Sequence, residues 1–203
     1  MKFFLSIIGA TIVRPFLIAL LCGIVFLSCS KTEETASFEE EVPLPDFLTT
    51  AGFNADVNTA SNTSYLEAGL TFKPLEFGTI KAITVKLPVN PSRIRVTLWD
   101  KATGNALVTA RIPLVLDYVA GTTYEVAITP YALTKNKEYI ISMNTENWVT
   151  RQRAGATDAD YPITIGTIQF INHVSSVGQN QVIPSTISLS YIAGDIGFKF
   201  QRI

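Results

Sequence analysis

The chain has 203 residues and is nearly neutral, with 16 basic and 17 acidic side chains and a formal charge of −1. Nothing in that balance suggests the basic stripe that nucleic acid would require, so no nucleic-acid partner is expected. A single histidine and two cysteines exclude the common zinc sites, and no cofactor or other metal is expected.

The first element is apolar. Residues 16 to 27 are almost wholly hydrophobic, Lys2 and Arg14 precede them, and Ser28-Cys29 follows, after which Ser30-Lys31-Thr32-Glu33-Glu34 turns polar. A positive start, a hydrophobic stretch of about 7 to 15 residues and a small residue before the cut define a secretory signal. Residues 3 to 13 are also mostly apolar, so length alone permits a spanning helix of about 20 residues. Arg14-Pro15 opposes that reading: a central Arg costs roughly 2.5 to 3.5 kcal/mol and the Pro removes a helical hydrogen bond. The boundary Leu27-Ser28-Cys29 resembles the lipobox of a bacterial lipoprotein, with Phe26 in place of the usual Leu. The resemblance implies a signal peptide over 1–28 and a lipidated Cys29 that anchors the protein in the cell envelope, at the outer membrane and exposed at the surface. Ordinary cleavage and an uncleaved anchor are the alternatives.

Removing 28 residues leaves 175 of the 203, enough for one domain with a full core. Cys22 lies within the signal, so the mature domain has no disulfide, and packing must supply its stability. Residues 29–48 hold the acidic run Glu39-Glu40-Glu41 and the prolines Pro43 and Pro45, and read as a flexible tether. Acidic residues soon after a lipidated cysteine also resemble the surface-export signal of Bacteroidetes lipoproteins. A solvated linker with no sorting role is the other reading.

From residue 49 to 203 the pattern is β structure. Ile83, Val85 and Leu87 alternate with Thr84 and Lys86, and Ile94, Val96 and Leu98 alternate with Arg93, Arg95 and Thr97. Period 2 marks half-buried strands. Further strands are expected at Glu67 to Lys73, Asn105 to Ile112, Thr123 to Thr129, Glu138 to Asn144, Trp148 to Arg153, Ile163 to Phe170 and Asp195 to Gln201. Turns are expected at Gly104, Gly121, Asn136 and Gly194. With no sustained helical stripe, the expected fold is an all-β antiparallel sandwich, jelly-roll or immunoglobulin-like, closed by Ile196, Phe198 and Phe200.

Five fragments, Glu67 to Pro74, Gly78-Thr79-Ile80, Leu98-Trp99-Asp100 with Thr103-Gly104, Tyr139 to Ser142 and Gly194 to Phe200, together resemble an uncharacterised family of bacterial extracellular β-sandwich domains. That family often stands beside polysaccharide-active or adhesive modules, and the resemblance implies a carbohydrate-binding-module-like fold. It carries no catalytic residues over. Trp99 falls on the polar side of its strand, where a bulge or a covering loop would bury it.

No catalytic set is recognisable. His173 has no nucleophile beside it in the pattern, and Asp158 and Asp160 fall short of the six to eight oxygens a calcium loop supplies. Glu125, Glu138, Glu146 and Asp195 are the carboxyls a glycan hydrolase would draw on. The expected ligand-binding residues are Trp148 and Tyr161 as a stacking platform, with Asn147, Arg151 and Arg153 as polar partners. The reading is a non-catalytic envelope protein that binds a glycan; the alternatives are a surface protein that binds protein partners and a small hydrolase.

Overall fold

A computed structural model describes residues 39–53, 58–89, 94–112 and 118–203. Cys29, the signal 1–28 and residues 30–38 of the expected tether lie outside the described residues, as do residues 90–93, where Pro88 to Ser92 read in sequence as a turn and Arg93 opens the next strand.

The described chain is an all-β antiparallel sandwich. In order it forms β1 (Glu40–Glu41), α1 (Leu44–Thr50), β2 (Asn58–Pro74), β3 (Gly78–Lys86), β4 (Ile94–Asp100), β5 (Ala106–Ile112), β6 (Thr123–Leu133) and β7 (Tyr139–Gln152). Then come β8 (Ile163–Ile165), β9 (Ile168–Val177), β10 (Thr186–Ser188), β11 (Tyr191–Ala193) and β12 (Asp195–Arg202). One sheet has the order β1-β12-β3-β6, and the other the order β10-β9-β2-β7-β4-β5, with β8 beside β9 and β11 beside β7. The run β1-β12-β3-β6 facing β2-β7-β4-β5 is the strand order of an eight-stranded jelly roll. Strands β8 to β11 are an insertion between its seventh and eighth strands.

Alternation builds the core. Ile83 and Val85 from β3, Leu70 and Phe72 from β2, Ile141 and Met143 from β7, and Ile196, Phe198 and Phe200 from β12 are all buried in one cluster. The rings of Phe72 and Phe198 meet across the two sheets with centroids 4.6 Å apart. The closing strand pairs β3 on one side and β1 on the other. All four expected turns are present, each with a positive φ at its centre, Asn136 included (62°).

Three expectations are corrected. The tether does not reach residue 48: β1 pairs with β12, and α1 buries Leu44, Phe47 and Leu48. Those three stand at i, i+3 and i+4, one helical face, and proline is tolerated in a first turn, so Pro43 and Pro45 start the helix here instead of preventing it. Helix α1 lies against β8 of one sheet and β12 of the other, with the Phe47 ring 4.3 Å from that of Phe170. Second, the two strands expected over 138–153 are the single strand β7; a register shift between Ser61 and Leu66 of β2 absorbs the irregularity near Thr145. Third, the strand expected over 163–170 is a hairpin, β8 to β9, turning at Gly166. His173, read as an ordinary strand or turn residue, lies within β9 and is fully buried.

Because α1 carries a fully buried ring, Phe47→Ala should cost about 3 to 5 kcal/mol. A chain starting at residue 51 should melt on the order of 10 °C below one starting at residue 39. Equal melting midpoints by circular dichroism would remove α1 from the core.

Candidate functional site

The chemically densest surface is the outer face of the eight-stranded sheet. Strand alternation puts Arg95, Thr97 and Trp99 of β4 on that face, and pairing sets Asn144 and Ser142 of β7 beside Arg95 and Thr97. Glu67 of β2 pairs in turn with Asn144. The Trp99 indole N–H donates to Ser142 Oγ at 2.8 Å, and Ser142 Oγ donates to Glu67 Oε1 at 2.5 Å. Arg95 Nη2 donates to Glu67 Oε2 at 2.6 Å, an ion pair with Glu67 only 1% exposed. Burial pushes the Glu67 carboxyl above its usual range, against the hydrogen bonds from Ser142 and Arg95 that draw it down.

A segment between β9 and β10 lies over this layer. Arg95 donates to the carbonyls of Gln179 (2.9 Å) and Asn180 (3.1 Å), and Asn144 donates to the carbonyl of Gly178 (2.8 Å). The Gln181 amide donates to Thr109 (2.7 Å) and Thr97 (3.3 Å), and Ser185 N–H donates to Ser176 Oγ (3.2 Å). Ile183 packs against Trp99, Ile140 and Val174, a small apolar cluster separate from the main core. Trp99 is thus buried by a covering loop, the second of the two routes open to it. On the same face, Thr71 Oγ1, Asn172 Oδ1 and Arg95 Nε are buried with no hydrogen-bond partner among the described residues.

Each of the five expected ligand residues has packing or hydrogen-bond partners of its own, and Arg153 lies close enough to Tyr161 for its charge to act on the phenol. Arg151 is buried and makes a bidentate pair with Asp195, Nε to Oδ1 at 2.7 Å and Nη2 to Oδ2 at 2.6 Å, and its Nη1 donates to the Phe53 carbonyl. That pair ties β7 to β12, and the hydrogen bonds to Asp195 hold the Arg151 pKa above its ordinary value. Tyr161 turns its ring toward Phe47 (6.1 Å), its hydroxyl has no hydrogen-bond partner among the described residues, and burial pushes its pKa up. Trp148 is half-buried against the main core, Arg153 donates to the Asp158 carbonyl, and the Asn147 backbone is bracketed by Thr145 Oγ1. Core packing therefore takes the rings assigned to a platform, and Asp195 takes one of its cations. Arg95, Thr97 and Trp99 read in sequence only as the polar side of a strand; Glu67 drew no attention because its partners are 28 and 75 residues away.

The carboxyls considered for hydrolysis are each engaged separately: Glu125 by Lys199, Glu138 by Lys101, Asp195 by Arg151, and Glu146 by the Tyr65 hydroxyl. Asp158 and Asp160 are exposed. No group of three His, Cys, Asp or Glu side chains among the described residues is placed to hold a metal ion. No described helix is long and apolar enough to cross a membrane. The class that fold and site define is a jelly-roll sandwich with a covered polar face. Neither a family model, a curated protein nor a solved structure matches the chain.

His173 Nε2 accepts the Ala193 N–H at 3.1 Å while Nδ1 has no partner among the described residues, and burial lowers its pKa to about 4. The unfolded chain, with the ordinary value of 6.5, therefore binds this proton first. Stability should fall as pH drops from 6.5 to about 4 and level off below, a loss of roughly 3 kcal/mol from this group. Glu67 acts with the opposite sign, since its raised pKa favours the folded state in acid. Denaturant midpoints at pH 7, 5.5 and 4 should spread over a smaller range in His173→Gln than in the natural protein; parallel curves would remove His173 as the titrating group.

Proposed function

We propose that this protein is a lipoprotein of the cell envelope, anchored through Cys29 at the outer membrane, whose jelly-roll domain binds polysaccharide without catalysis. The anchor rests on the apolar run, the small residue and the cysteine at its end. Cys29→Ser should abolish partition into detergent and leave a processed mass lacking the acyl chains; unchanged partition would refute the anchor.

The binding reading rests on one observation: the outer sheet face lines up hydrogen-bonding side chains of both kinds around a tryptophan. Arg95 and Asn144 are donors, Glu67 is an acceptor, and Thr97 and Thr109 serve as either. A sugar ring presents hydroxyls to such groups and an apolar face to an aromatic ring. The expected platform of Trp148 and Tyr161 gives way to this face, because core packing engages those rings.

A chain of residues 39–203 presented to starch, xylan, mannan, laminarin and pectin should bind at least one of them. Retention by none would reject polysaccharide binding.

A further inference from the structure

The segment Gly178 to Ser185 covers the face on which the polysaccharide reading depends, and the manner of covering is informative. Only its ends join strands of the sheet: β9 stops at Val177 and β10 starts at Thr186, with no regular structure between. Gly178 sits at φ 129°, a backbone state that residues with a side chain rarely adopt, and a Cβ there would meet nothing within 4 Å. Gln179, Asn180, Gln181 and Val182 are exposed on their far side. Ile183 reaches the small cluster and Pro184 beside it is buried, while the polar contacts are hydrogen bonds.

Beneath the segment a cavity of about 150 Å³ remains, lined by Glu67, Ser176, Val177, Gly178, Asn180 and Val182. Ligand pockets span roughly 300 to 1,000 Å³, so this space takes no stretch of polymer while the segment is in place. The buried polar atoms without partners, Thr71 Oγ1 and Asn172 Oδ1, lie on the same face with Arg95 Nε. A face finished by its own chain would satisfy them.

We propose that residues 178–185 form a displaceable strap, seated where a polysaccharide chain binds, and that the ligand reaches Trp99, Arg95, Thr97 and Thr109 by replacing it. The proposal rests on the polysaccharide reading above. The chemistry of the strap matches such a ligand group for group. Three strap carbonyls receive the donors of Arg95 and Asn144, as sugar oxygens would, and the Gln181 amide meets Thr97 and Thr109, as sugar hydroxyls would. Ile183 covers the Trp99 cluster as the C–H face of a sugar ring would. The indole is held ready by its bond to Ser142 and needs no reorientation. Because only the open form is competent, apparent affinity is reduced by the open fraction, and loosening the strap raises it.

The test uses residues 39–203 carrying Trp148→Phe, which leaves Trp99 as the sole tryptophan of the two in the chain. Adding Gln181→Ala and Ile183→Ala loosens the strap without altering the face. Acrylamide quenching of Trp99 should rise in the loosened protein, and whichever of starch, xylan, mannan, laminarin or pectin is retained should bind at least about fivefold tighter. That polysaccharide should then shield Trp99 from acrylamide again. Tighter binding without shielding, or unchanged affinity and quenching in a protein that still binds, would overturn the strap and leave the polysaccharide reading standing. Binding of none of the five by either protein would overturn both. If the double variant fails to fold, Gln181→Ala alone serves, with a twofold rise in affinity expected and an unchanged affinity counting against the strap.

Discussion

The packing of one sheet on the other through Phe72 and Phe198 is the contact on which the rest of the molecule depends. Neither sheet is stable alone with half of its side chains apolar, and no disulfide is available between residues 39 and 203 to hold them together. The two rings come from β2 and β12, near opposite ends of the sequence, so the core forms only when the first long strand and the last are both in place. Tyr139 stacks on Phe72 (5.8 Å) and extends the contact along the larger sheet. Phe47, Phe53, Tyr161 and Phe170 form a second ring group, which explains why the chain before β2 folds back as a helix. An open flank between β12 and β8 would leave Phe170 and Tyr161 facing water. Helix α1 closes it.

Once one face of the larger sheet is committed to that core, its other face has to be reconciled with water or covered. This chain covers it with polar groups. Removing the Glu67 carboxylate from solvent is costly, and it is tolerated because Arg95 and Ser142 satisfy both oxygens. Arg95 in turn has donors left over, which the strap carbonyls accept. The result is a chain of dependence running from Trp99 through Ser142, Glu67 and Arg95 to the backbone of Gln179 and Asn180. Breaking it at Glu67 would strand a buried guanidinium, whereas lifting the strap strands nothing charged, because the Glu67–Arg95 pair persists beneath. The energetic asymmetry makes the strap the weak layer of that face.

The strands were legible because period 2 is a local signal. Ile83, Val85 and Leu87, and Ile94, Val96 and Leu98, declared their inner face without reference to any partner. What failed to show was set by distant parts of the chain. Pro43 and Pro45 in an acidic stretch suggested a tether, and only the presence of Phe170 and Tyr161 gives Phe47 something to bury against. The spacing of Leu44, Phe47 and Leu48 was the available clue. Arg151 looked like a ligand contact because its bidentate partner, Asp195, is 44 residues away. Trp148 and Tyr161 shared a segment of sequence but serve the main core. For the outer face the clue was compositional: the amide-rich run Gly178-Gln179-Asn180-Gln181 stands between two strands and offers hydrogen bonds with no place in a ladder.

The insertion explains why one fold carries two such different faces. The jelly roll runs from β1 to β7 and ends with β12, and everything from Ala154 to Ala193 is added between. Within that added stretch β8, β9 and β10 widen the larger sheet beyond β2, β11 lengthens it beside β7, and the strap crosses back over what has been widened. Strand β9 supplies Val174 to the Trp99 cluster from one side while Ile183, from the same insertion, supplies its cover. The inserted segment therefore builds part of the face and occludes it at once. A segment with only the second task could be deleted without loss, but this one contributes His173 and Phe170 to the buried interior and is fixed at both ends. On the proposed reading, movement is confined to the stretch between β9 and β10, which is held by the apolar Ile183 and Pro184 and by side-chain hydrogen bonds.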